Sequence, residues 1–218
     1  MSQPTQQSSS GILIVVEGID GAGKSTQVRR IAEALKSAGD DVVLSREPTD
    51  GPWGRKLRES QTTGRMSLDE ELTAFLEDRR EHVRDVILPA LARGAIVILD
   101  RYYFSTMAYQ GVRGADVAQI RRDNEKFAPK PDVVLLVDFD PQTALRRIEQ
   151  SRGDVPNTFE RLDALQAIRK VFLETAATDP TFRIVDGNGS PDAVFSAIWK
   201  TLSNGVLREL RPTKSFPT

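Results

Sequence analysis

Uninterrupted apolar runs alternate along the chain with stretches of helical period. Ile12–Glu17, Val42–Ser45, Ala95–Asp100, Val133–Asp138 and Phe182–Val185 read as five strands. Continuous rather than alternating apolar character is expected of strands covered on both faces, as in a parallel sheet. Helical patterns fall at about Lys24–Ala38, stopped by Gly39, near Asp116–Lys126, at Pro141–Gln150 and Arg161–Ala177, and at about Pro191–Leu202. Ser67 and Glu70 form a capping box heading a long helix towards Arg93-Gly94, with Pro89 a kink or late break. Pro48, Gly51, Pro52 and Gly54 predict that REPTDGPWGR is a loop without regular structure. The alternation predicts an α/β fold, a doubly wound five-stranded parallel sheet flanked by helices, with ligands gathered at the carboxyl ends of the strands. One domain is expected over residues 11–204, after a polar, disordered leader at 1–10 and before a flexible tail at 205–218.

Within the long helix, Leu72, Phe75, Leu76, Val83, Val86 and Leu91 recur at helical spacing and predict a buried apolar face. Arg79 lies on the same face, four residues after Phe75. A guanidinium turned towards the core needs a carboxylate or a bound anion, because an unpaired buried charge costs several kcal/mol. Two readings follow, a phosphate ligand or a structural ion pair to Glu47, Asp100 or a neighbouring acid. His82, the sole histidine, reads as a helix-surface residue.

Charged residues make up 28% of the 218 positions but sum to a net charge of −1. That balance argues against broad attraction to nucleic acid or a membrane surface, so any anion site is local. The absence of cysteine excludes disulfides and thiolate metal sites and is compatible with a cytoplasmic location. No apolar stretch has the length of a membrane span, and MSQPTQQSSSG has neither the basic start nor the apolar segment of a signal peptide or anchor.

The first strand runs directly into Gly18–Thr26, GIDGAGKST, which satisfies the phosphate-cradle spacing G-x-x-x-x-G-K-[ST]. Gly18, Gly21 and Gly23 permit the tight turn, and Asp20, Ala22 and Thr26 complete the loop expected around the polyphosphate of ATP. Lys24 supplies a cation for the β- and γ-phosphates, and the Ser25 hydroxyl is a ligand for Mg²⁺. Asp100 and Asp138 both end apolar strands, as Mg²⁺-holding carboxylates in such proteins do. Asp100 is favoured, since Arg101 and the aromatics Tyr102-Tyr103-Phe104 follow it, whereas Asp138 reads as a structural carboxylate.

The series GIDGAGKST, REP, FLEDR and DRYYFSTMAYQG, in this order and spacing, resembles the thymidylate kinase family over about Ile12–Phe195. The resemblance implies transfer of the γ-phosphoryl of ATP onto dTMP, with Mg²⁺, in a homodimer. It implies that Asp20 approaches the sugar hydroxyl of the acceptor, Phe75 stacks on thymine, and Arg79 and Arg101 bind the acceptor phosphate. Thr106 and Tyr109 would contact base edge and sugar, with Gln110 and Ser105 adjacent and Arg46, Glu47 and Pro48 on the same pocket. A lid is expected over about 146–160, where Pro156 stands at a position many bacterial members give to arginine, leaving Arg152 and Arg147 as candidates to clasp ATP. Pro52 and Trp53 replace a Gly-Gly-Thr run beside the base. Other readings are a kinase for another pyrimidine nucleotide, or for a deoxynucleoside with Glu17 as base, and a P-loop switch or partition ATPase. Arg79 and Arg101 speak against the deoxynucleoside kinase, and the aromatic cluster after Arg101 and the lack of an N-K-x-D motif speak against the switch.

Overall fold

The computed structural model describes residues 11–152 and 161–210. The five apolar runs become β1 (Ile12–Glu17), β2 (Val42–Arg46), β3 (Ile96–Asp100), β4 (Val133–Asp138) and β5 (Phe182–Asp186), all parallel in the order β2-β3-β1-β4-β5. The three inner strands are almost entirely buried, as continuous apolar sequence requires. Edge strands β2 and β5 have one neighbour each and leave Leu44 and Ile184 exposed. Register aligns Val16 with Asp100 and Asp100 with Arg46, so β1, β3 and β2 end in one row. That row carries the site.

Flanking helices are α1 (Lys24–Ser37), α2 (Pro52–Thr63), α3 (Leu68–His82), α4 (Leu88–Ala92), α5 (Tyr103–Val112), α6 (Val117–Glu125), α7 (Pro141–Arg152), α8 (Leu162–Thr178), α9 (Pro191–Asn204) and α10 (Val206–Leu210). Two of these, α2 and α10, depart from expectation. The stretch after REP is helical, because Pro52 sits in the first turn, where its missing N–H is not needed. Gly54 then lets α2 close on the preceding loop, since a Cβ there would lie 1.9 Å from the Thr49 carbonyl oxygen. Residues 206–210 form a helix with Val206 and Leu207 buried, where a flexible tail is expected. The expected leader, most of the lid's second half and residues 211–218 lie outside the described residues.

The Ser67–Glu70 capping box forms as predicted, Glu70 N–H donating to Ser67 Oγ and Ser67 N–H to Glu70 Oε2 at 3.0 Å. The long helix does not break at Pro89. A π-helical turn, Val83–Ile87, joins α3 to α4, and its wider ladder accommodates the proline ring while rotating the register. The buried face also changes character there. From the turn onward it is apolar, with Val83, Ile87 and Ala90. Along α3 it is polar, with Glu71, Asp78, Arg79 and His82 buried, while Leu72, Phe75 and Leu76 are only half-buried. The predicted apolar stripe therefore covers only part of the helix.

Candidate active site

The loop between β1 and α1 packs so closely that a Cβ on Gly21 would meet the Ala144 carbonyl oxygen at 2.7 Å, at a φ of 79° that side chains disfavour. Gly18 and Ala22 press this loop against the core. Lys24 opens α1 and donates from Nζ to the Ile19 carbonyl at 2.8 Å. Burial lowers its pKa to about 8, Arg101 acting in the same sense and Asp20, Asp100 and Glu17 opposing. Ser25 Oγ donates to Asp100 Oδ2 at 2.5 Å.

A cavity of about 330 Å³ collects most of the residues singled out in the sequence. Asp20, Gly21, Gly23, Lys24, Ser25 and Thr26 form one wall, and Arg46, Glu47, Pro48, Asp100 and Arg101 the other. Arg58 of α2 joins them. Sequence reasoning missed Arg58 because it lies just past the loop read through its prolines and glycines, where no helix was expected. Only the spacing Gly54–Leu57–Arg58, with Leu57 buried, carries a helical signal. Arg58 is braced by the Pro48 carbonyl at 3.0 Å and by Asp50 at 2.9 Å, and Arg46 holds the same Asp50 carboxylate at 2.7 Å.

Arg101 has a φ of 74°, a left-handed conformation in a non-glycine residue. Its guanidinium donates to Asp20 Oδ1 at 2.6 Å, Ser105 Oγ at 2.8 Å and Tyr109 OH at 3.2 Å. Tyr109 OH in turn donates to Asp20 Oδ2 at 3.0 Å. Burial works against the charge on Arg101, but Tyr109, Asp20, Glu17 and Asp100 outweigh it and hold the pKa above its ordinary value.

Arg79 does not border this cavity. Nε donates to Glu47 Oε2 at 2.7 Å, Nη1 to Asn124 Oδ1 at 2.6 Å and Nη2 to Thr106 Oγ1 at 3.2 Å. The ion-pair reading thus has its carboxylate, Glu47. Arg79 and Thr106 border a separate cavity of about 500 Å³, with Leu72, Leu76, Ile120 and Asn124. His82 is a correction, since it is 4% exposed rather than on the surface. Its Nδ1 meets Glu47 Oε1 at 2.9 Å and its Nε2 meets Ser45 Oγ at 2.8 Å. Both Glu47 oxygens are therefore engaged by α3, so Glu47 anchors the REP loop. Asp78 adds a second anchor, accepting from Thr49 N–H at 2.8 Å and Thr49 Oγ1 at 2.6 Å. Asp78 and His82 carried no sequence signal, because their partners lie in a loop some thirty residues away.

Gln110 is buried and donates to Glu71 Oε2 at 3.0 Å, while its Oε1 has no hydrogen-bond partner among the described residues. Phe75 stands one turn before Arg79 on α3 and is half-buried. Asp138 is bound through both oxygens by Arg169, at 2.6 and 2.8 Å, which fits its structural reading. Glu17 accepts from the Tyr102 and Ser105 amides and the Ser105 hydroxyl, leaving it no access to an incoming hydroxyl. Arg147 stacks 4.1 Å from the Phe139 ring centroid and reaches the Gly21 carbonyl at 3.4 Å. Arg152 ends α7, and its side chain and Pro156 lie outside the described residues.

Comparison with known sequences gives the same answer over most of the chain. The family model for thymidylate kinase matches residues 16–198. A thymidylate kinase of Xanthomonas euvesicatoria is 52% identical over 186 residues, 85% of this chain and 80% of that protein. One from Xanthomonas oryzae is 52% identical over 185 residues, with the same shares covered. One from Xylella fastidiosa is 48% identical over 187 residues, 86% of this chain and 84% of its own. With the phosphate-binding loop, the parallel sheet and the arginine-lined cavity in the expected order, the chain belongs to the thymidylate kinase family.

Proposed function

We propose that the protein transfers the γ-phosphoryl group of ATP to dTMP, giving dTDP and ADP in the supply of dTTP. The observation that carries this reading is the shared cavity, which brings Asp20, Lys24 and Ser25 of the phosphate-binding loop together with Arg46, Arg58 and Arg101. Phosphoryl transfer asks little covalent work of a protein and much alignment of two charged nucleotides. Lys24 and the loop amides would take the donor phosphates. Arg101, Arg46 and Arg58 would take the acceptor phosphate, and Asp20 with Tyr109 the sugar hydroxyl. Phe75 would stack on the base, and Gln110 Oε1 offers a free acceptor to an imide N–H such as that of thymine. Arg79 and Thr106 would contact the base side, since Arg79 lies off the phosphate cavity. No protein nucleophile is required.

Ser25 and Asp100 would hold Mg²⁺. A hydroxyl and one carboxylate, 2.5 Å apart beside the phosphate cavity, suit an ion that completes its shell with phosphates and water. When bound, the ion would neutralise charge on the β- and γ-phosphates.

The resemblance further supports one kinase domain over 11–204, a cytoplasmic homodimer and no nucleic-acid partner; no described helix is long and apolar enough to cross a membrane. A deoxynucleoside kinase is disfavoured by the engagement of both Glu17 oxygens. Coupled ADP release over a panel of nucleosides and monophosphates tests the reading. Mg²⁺-dependent turnover fastest with dTMP is expected, and reaction of thymidine without dTMP would overturn it.

A further inference from the structure

Glu17 ends β1 fully buried and lines neither cavity, yet its carboxylate accepts three hydrogen bonds. Its Oε1 accepts from the N–H of Tyr102 at 2.8 Å and of Ser105 at 3.2 Å. These are the N-cap amide and a first-turn amide of α5, whose own N-cap residue provides no side-chain cap. A strand residue 85 positions away thus caps the helix that begins at the active-site arginine.

The other oxygen reaches further. Ser105 Oγ donates its single proton to Glu17 Oε2 at 2.6 Å, so its lone pairs are what it can present to Arg101 Nη1 at 2.8 Å. The carboxylate thereby fixes the polarity of the hydroxyl, and the hydroxyl fixes one arm of the guanidinium. The other arm is set by Asp20 at 2.6 Å. Glu17 also secures the backbone around Arg101. That residue's left-handed φ of 74° is held by its own N–H on the Val16 carbonyl at 3.1 Å and, on the following residue, by Glu17.

We infer that Glu17 is a positioning residue, which fixes the Arg101 guanidinium in the phosphoryl-transfer cavity through the Ser105 hydroxyl and the Tyr102 amide. The inference rests on the reading of Arg101 as an acceptor-phosphate ligand. The surrounding charges agree with it. Burial raises the pKa of Glu17 to about 7, while Arg101, the Ser105 hydroxyl, the Tyr102 amide and Lys24 pull it down.

Glu17→Gln separates this role from plain helix capping. The amide oxygen can still accept from Tyr102 and Ser105, but its N–H₂ faces Ser105 Oγ, so the hydroxyl loses the acceptor that fixed its proton and must share its lone pairs between the amide and Arg101. The expected result is a fall of about 10-fold or more in kcat/KM for dTMP, with the ATP KM within about 2-fold and little change in Tm. The Arg101 Nε–Hε NMR signal of the nucleotide-free enzyme, assigned with Arg101→Lys, shifts in the same variant. Ser105→Ala shifts it too, leaves Glu17 on both amides, and gives a double variant no worse than the more damaging single one. Wild-type dTMP kinetics in Glu17→Gln, independent losses that multiply in the double variant, or an unmoved Arg101 signal in Ser105→Ala would each overturn the inference. If Glu17→Gln fails to fold, the Ser105→Ala kinetics and spectrum decide. The spectrum needs no substrate, so absence of dTMP turnover by the wild type would sink the functional reading alone.

Discussion

Arg101 and Arg79 are both arginines in ion pairs beneath the same layer of helices, and they sit in opposite physical situations. Arg101 pairs with Asp20 with side chains 17% and 32% exposed, at the wall of the phosphate cavity. Arg79 pairs with Glu47 at 1% and 3%, with Asn124, Thr106 and the Tyr102 ring as its further partners, away from the phosphate cavity. A partly exposed pair at a cavity wall is less costly to open than a buried one, so Arg101 can exchange a carboxylate for a phosphate. A buried pair cannot be opened without stranding a charge in low dielectric. Burial alone therefore does not identify a ligand-binding arginine; the accessibility of its partner does.

The largest expected effect crosses the two arginines. Arg79→Met strands Glu47 and is expected to cost about 3–5 kcal/mol of stability, read as a lower melting temperature without ligand. Arg101→Met is expected to hold stability within about 1 kcal/mol while kcat/KM for dTMP falls about 10²- to 10³-fold. Added dTMP should raise the melting temperature of Arg79→Met and fail to raise that of Arg101→Met, since only a ligand that binds the native state stabilises it. A stable Arg79→Met that no longer responds to dTMP would give Arg79 the phosphate role expected from the sequence resemblance.

What the sequence made legible divides along the same line. The five strands were readable because continuous apolar runs are a local signal, and the phosphate-binding loop because its glycines answer to local backbone demands. Arg101 was readable from its position after an apolar strand. Arg79 was readable from its place on the predicted core face, with Glu47 among its expected partners, but the rest of the α3 face was not, because Glu71, Asp78 and His82 are buried against polar partners that hydrophobic periodicity does not register. Helix α5 lacked a signal for a related reason, its cap being Glu17 from a distant strand. Helix α2 was hidden by Pro52 and Gly54, which normally break structure and here serve the first turn and a close approach.

Lys24 sharpens the contrast with a cation that is buried and still titratable. Its pKa falls from 10.5 to about 8 in the folded protein, chiefly through burial. Above pH 8 the nucleotide-free enzyme loses the cation expected to meet ATP, so kcat/KM for ATP should fall about 10-fold per pH unit there. Stability moves the other way. Between the folded and unfolded values the unfolded chain binds a proton that the folded one does not, so the Lys24 contribution rises with pH. A Lys24→Met variant should lack that rise in denaturant titrations, and an identical rise in both proteins would remove Lys24 as its source.

The smallest effect concerns the loop that both regions share. Asp78 is buried and holds Thr49 through its N–H and its hydroxyl, so it orders the segment carrying Arg46 and Pro48 without facing the cavity itself. Asp78→Asn keeps the shape but removes the acceptor for the Thr49 hydroxyl proton, at a cost of about 1–2 kcal/mol in stability. If the loop only positions the acceptor, the KM for dTMP should rise about 3- to 10-fold while kcat stays within about 2-fold, because the loss falls equally on ground and transition states. A fall in kcat comparable to that of Arg101→Met would mean instead that the REP loop bears on the transferring phosphoryl group. Arg79 and Glu47 would then matter to catalysis through the loop they anchor, and the division between the two arginines would lie in how they reach the phosphate.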